Sequence, residues 1–123
     1  MAPYEALVRY KKNQVEQHLR TVKQIQKTIA DFQLLSDSLD RQIKAEEDRL
    51  NVHESSHYAY STLAKATIQR RNNLMRSIDK LKIQLDTAKK ALREENDKIA
   101  RLSELPDTDQ VGVHLQPFND ETD

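Results

Sequence analysis

The chain has no cysteine and no tryptophan, one glycine and three prolines among 123 residues. Without cysteine there is neither a disulfide staple nor thiol chemistry, which fits a reducing compartment. The lone glycine, Gly112, lies near the end of the sequence, so no glycine-rich loop can cradle a phosphate. No apolar run approaches the roughly 20 residues of a membrane span, and no signal-peptide segment follows Met1. The sequence therefore reads as a soluble, cytoplasmic protein. Aromatic residues make up 5% of it, and 37% hydrophobic residues stand against 33% charged ones. That is too little apolar material for a globular core, and enough for long helices that carry a narrow apolar stripe.

What is present is a seven-residue period. In the first half Val8, Val15, Val22, Ile29, Ser36, Ile43 and Leu50 share one position of the repeat. Tyr4, Ile25, Phe32 and Leu39 hold its partner position, interrupted by Lys11, His18 and Glu46. These are the a and d series of a coiled coil. The second half repeats the pattern, with Ala64, Ile78, Leu85, Leu92 and Ile99 at a, and Tyr60, Leu74, Leu81, Ala88 and Leu102 at d. Arg71, Thr67 and Glu95 are its exceptions. Pro3 suits a first helical turn, and Pro106 stops the second helix. Either Ser56 or Ser61 caps the start of that helix.

The two ladders fit one antiparallel register. Leu50 falls level with Tyr60, Phe32 with Ile78, Ile29 with Leu81, Ile25 with Leu85 and Val8 with Leu102, every layer centring the turn on Ser55. The sequence thus predicts an all-α fold, a long two-helix antiparallel coiled-coil hairpin over residues 1–106. Helix 1 spans about residues 3–51, the turn about 52–59 and helix 2 about 60–105, at about 1.5 Å per residue. The expected core is the central block of Ile25, Ile29, Phe32, Ile78, Leu81 and Leu85. In the same register Lys11 and Glu95 lie about one helical turn apart and pair across the seam, and Arg71 sits opposite Leu39 beside Asp40. Residues 107–123 lose the repeat and form an acidic tail, expected to be disordered; Val111, Val113 and Leu115 alternate as a strand would.

Net charge is zero but blocked. Residues 1–30 carry six basic and two acidic side chains, 31–60 three and seven, 61–105 eleven and six, and 106–123 none and five. Basic residues such as Arg70, Arg71, Arg76, Lys80, Lys82, Lys89 and Lys90 invite a nucleic-acid reading. Interspersed acids and the lack of an aromatic stacking platform argue against it. His53 and His57, four apart, would share a helical face as metal ligands do, but neither a third His nor a Cys completes the set. Glu46, Glu47 and Asp48 form a charged helical face with no pocket to raise a carboxyl pKa. No enzyme activity, cofactor or metal is expected.

The stretch "YAYSTLAKATIQRRNNLMRSIDKLK", from Tyr58, sets two tyrosines and a leucine just after the turn, ahead of paired arginines. With "LVRYKKNQVEQ" and "LDRQIKAEEDRL" in the first helix, it resembles the flagellar FliJ protein family over about residues 4–105. The acidic tail departs from that family's longer, more basic C-terminal region. The resemblance implies a stalk of the flagellar type III export apparatus, inserted by its helix termini into the hexameric export ATPase. It implies contact of the turn-proximal end with the cytoplasmic domain of the export-gate protein, service to export chaperones, and a place in the cytoplasm at the flagellar base.

The family's exposed aromatic–x–x–apolar pattern matches Tyr60 and Leu63, with Tyr58 beside them. Thr67 stands where its next apolar residue is expected, and Ile68 follows one residue late. Within this patch Tyr60 is the residue that also fits the last core layer, whereas Tyr58 and Leu63 fit the surface. Lys11, Lys12, Lys89 and Lys90, near the termini, are the candidate contacts to the ATPase ring. The alternatives are a generic oligomerising coiled coil and a basic nucleic-acid-binding hairpin.

Overall fold

The computed structural model describes residues 3–102. They form two helices, α1 (Pro3–Leu50) and α2 (Thr62–Leu102), joined by residues 51–61 and packed on each other as a two-helix hairpin, with no strand among the described residues. The expected end of helix 2 near residue 105, the acidic tail and the alternating Val111, Val113 and Leu115 lie outside the described residues. The helices form because 48 and 41 residues in a row contain no glycine and no proline beyond Pro3 at the first position. They pack because the heptad brings one stripe of each to a shared seam. Every buried apolar residue occupies an a or d position.

The hairpin divides into two compact units. Among the described residues, the first combines 3–26 with 84–102. Its seam is closed by Val8, Val22, Leu92 and Ile99, all at a positions, and Ile99 is 0% exposed. Burying such a side chain stabilises by about 1.5–3 kcal/mol. Within this seam the Lys11 ammonium approaches Glu95 Oε2 to 3.6 Å, as the register requires. The Tyr4 hydroxyl donates to the Leu102 carbonyl, which fixes the start of α1 against the last described turn of α2.

The second unit, residues 27–83, carries the turn. Ile29, Leu39, Ile43, Tyr60, Ala64 and Ile78 are its buried apolar residues. Two polar exceptions to the heptad are accommodated in the seam. Thr67 is buried and donates from Oγ1 to the Leu63 carbonyl at 2.9 Å, so its hydroxyl is satisfied within its own helix. Arg71, which the register sets beside Asp40, reaches its Oδ1 at 3.0 Å.

Two expectations are corrected. The central block is not the best-sealed stretch: Ile29 and Ile78 are buried, but Ile25, Phe32, Leu81 and Leu85 are only half-buried. A two-helix seam has no second layer to cover the flanks of its larger side chains. Ser36 at an a position adds an open groove of about 210 Å³ beside Ile78 and Met75. Leu50 does not close the last layer over Tyr60 either. It is 37% exposed, because α1 ends there and Asn51 turns the chain away at a φ of 53°.

Candidate functional site

The turn is built from two helix ends. Asn51 takes the left-handed conformation, which asparagine tolerates better than most residues. Its N–H donates to the Asp48 carbonyl at 3.3 Å, and the Val52 N–H donates to Glu47 at 3.2 Å. That pair of bonds is a Schellman closure of α1. Two further backbone bonds, His57 to Glu54 and Tyr60 to His57, both 3.0 Å, carry the chain round to α2.

Of the two candidate caps the structure selects Ser61. Its Oγ accepts the Ala64 N–H at 3.1 Å, the geometry of an N-cap bond to the third helical residue. Ser56 instead donates to the Glu54 carboxylate at 3.2 Å. Ser61 also donates from Oγ to Glu46 Oε1 at 2.9 Å, tying the start of α2 to the end of α1. Arg49 grips the same carboxylate with Nε and Nη2 at 3.1 and 2.6 Å. Hydrogen bonds from Arg49, and then from Ser61, hold the Glu46 carboxyl below the ordinary glutamate pKa. Glu46 interrupts the apolar d series for this reason: a carboxylate there receives donors from both helices.

Tyr60 is 5% exposed and lies in the seam, so it leaves the exposed candidate patch. Its hydroxyl donates to Glu47 Oε2 at 2.7 Å. Burial first, and the hydrogen bond to Glu47 second, push the phenol above its ordinary pKa. Tyr58, in contrast, is 94% exposed, and its ring stacks on that of His57 with centroids 4.6 Å apart. Leu63, on the first turn of α2, is 64% exposed. Ile68 is half-buried. The turn unit thus presents Tyr58 and Leu63 to solvent from a backbone held by Asn51, Ser61 and Tyr60.

His53 and His57 are not on a helix, and each has its own partner near the turn. His53 Nε2 pairs with Asp48 Oδ1 at 2.9 Å, and His57 Nδ1 accepts the Ala59 N–H at 3.0 Å. No cluster of three or more metal-ligating side chains occurs among the described residues.

The four candidate lysines, all in the first unit, differ in environment. Lys11 lies in the seam, its side chain 23% exposed beside Glu95. Lys12 and Lys89 are half-buried on the flank, and Lys90 is exposed. Lys11 therefore has a structural task that the other three lack. Sequence reasoning passed over the Glu46–Arg49–Ser61 and Glu47–Tyr60 contacts. The one signal that pointed to them was a glutamate at a d position next to a capping serine.

Comparison with protein-family models, curated proteins and solved structures found no match. No described helix is long and apolar enough to cross a membrane.

Proposed function

We propose that the protein is a non-enzymatic stalk of the flagellar type III export apparatus, acting in the cytoplasm at the flagellar base. In this role it inserts into the export ATPase ring and couples the ring to the export gate. The observation that carries the reading is the split fate of neighbouring residues at the turn: Tyr60 is buried, while Tyr58 and Leu63 face solvent. A tyrosine exposed on a hydrogen-bonded turn and a leucine exposed on the first turn of α2 serve as interface anchors, since the backbone that carries them is already ordered. Replacing both by Ala should weaken binding to the cytoplasmic domain of the export-gate protein by about 1 kcal/mol or more. Helix content should stay unchanged. Unaltered affinity in a calorimetric titration would reject the turn as the gate contact.

The ring contact in this reading falls to Lys12, Lys89 and Lys90. Lys11 is a poor probe, because its charge belongs to the Glu95 pair. Reversal of Lys12 and Lys90 to Glu should abolish stimulation of the export ATPase, and reversal of Arg76 and Lys80 should do so only weakly. Equal effects from both pairs would favour a general charge requirement over a stalk.

A generic oligomerising coiled coil is the second reading, supported by Leu34, Leu35, Met75 and Ile83, all large, apolar and exposed. It predicts a dimer by light scattering that Leu34→Glu or Ile83→Glu dissolves.

A further inference from the structure

Residues 3–26 and 84–102 carry ten Lys and Arg against six Asp and Glu. The charges are not spread evenly around this unit. With Val8 and Leu92 fixed in the seam at a positions, the heptad places Arg9, Lys12, Lys23, Lys89 and Arg93 at the b and e positions of one flank, beside Glu5, Glu16 and Asp86. The α1 side of the other flank holds Leu7, Tyr10, Gln14, Gln17, Thr21 and Gln24, with no charge. Ion pairs in this unit join Lys11 and Lys98 to Glu95. Arg9, Lys12, Lys23 and Lys89 have no ion-pair partner among the described residues. Residues 103–123 bear the complementary charge: Glu104, Asp107, Asp109, Asp120, Glu121 and Asp123, with no Lys or Arg.

We propose that the segment 103–123 docks back on the Lys12–Lys23–Lys89 flank of its own hairpin and occupies it against other anionic partners. Reach is sufficient. Lys89 lies thirteen residues before Leu102, about 20 Å along the helix. Asp120 lies eighteen residues beyond it, a length that can extend to about 60 Å. Each exposed ion pair is weak, so the association rests on several together and on the high effective concentration of a tethered segment. Such an occupant shields the flank at low ionic strength and yields it to an acidic surface that offers more charges at once. The partner it would be displaced by is a carboxylate-rich protein face. This contact stands whether or not the protein is an export stalk.

The test is zero-length carbodiimide cross-linking of the full chain, with isotopically light and heavy protein mixed and products mapped by mass spectrometry. Lys12, Lys23 or Lys89 should join Asp120, Glu121 or Asp123 of the same chain. The yield should fall sharply at about 1 M salt, where the screening length shrinks to about 3 Å. In parallel, a full-length variant with Asp120→Asn, Glu121→Gln and Asp123→Asn should bind a poly-glutamate peptide about threefold or more tightly than the parent, since the weak pairs it removes no longer compete. Cross-links confined to Lys98, or formed only between light and heavy chains, would overturn the proposal. So would equal poly-glutamate affinity of the parent and the neutralised variant.

Discussion

Ser61→Ala tests how the turn is held, and its size can be worked from two bonds. Ser61 is buried, and its Oγ accepts the Ala64 N–H at 3.1 Å. Loss of an N-cap serine destabilises by about 0.5–2 kcal/mol. The upper part of that range is expected here, because Ala leaves a buried N–H with no water at hand to replace the bond. The hydroxyl's second bond, to Glu46, disappears as well. At about 4–8 °C per kcal/mol for a domain of this size, the melting temperature should fall by about 6–16 °C. Thermal unfolding followed by circular dichroism gives the shift, and amide exchange at Ala64 and Lys65 locates it. Ser61→Gly separates the two bonds, since glycine is nearly as good a cap but cannot donate to Glu46. Its loss should therefore be the smaller of the two. A Ser61→Ala variant that melts within about 1 °C of the parent, with Ala64 still protected, would refute the assignment of Ser61 as the cap, the smallest cap effect being about 0.5 kcal/mol.

Two further outcomes follow from other polar groups. Glu46 has a lowered pKa in the folded chain, so its contribution is complete above the unfolded glutamate value and is lost as pH falls through the folded one. Stability of the parent should therefore drop more steeply below about pH 4.3 than that of Glu46→Gln, and parallel curves from urea titrations would exclude the Arg49 and Ser61 bonds as its cause. In the other unit, Glu95 Oε2 is buried without a hydrogen bond, although Lys11 lies 3.6 Å away. Replacing Lys11 and Glu95 together by Leu should leave stability unchanged or raise it by about 1–4 kcal/mol, whereas Lys11→Leu alone should lower it. Chemical denaturation of the three proteins decides the point, and a double variant markedly weaker than the parent would mean that the pair itself drives the packing.

Much of the architecture follows from the sequence, for a physical reason. A seam between two helices samples each chain every 3.5 residues, so a heptad alone names the side chains that face it. Every buried apolar residue lies on the two series read from the repeat. The level pairing of those series is enough to place Arg71 beside Asp40 and Lys11 beside Glu95, and both pairs form. A repeat does not encode how deeply each layer is sealed. Depth depends on what covers the flanks, which is why Val22 and Leu92 are closed while Phe32 and Leu81 stay half open. The turn was the least legible part, since the period stops there and several serines, histidines and acids compete for the same backbone groups. Only the tertiary structure chose Ser61 over Ser56, turned Asn51 into the closing residue of α1, and gave Glu46 and Glu47 to donors on α2. Those choices separated Tyr60 from Tyr58, because a phenol that reaches Glu47 is drawn into the seam and its neighbour two residues earlier is left facing water.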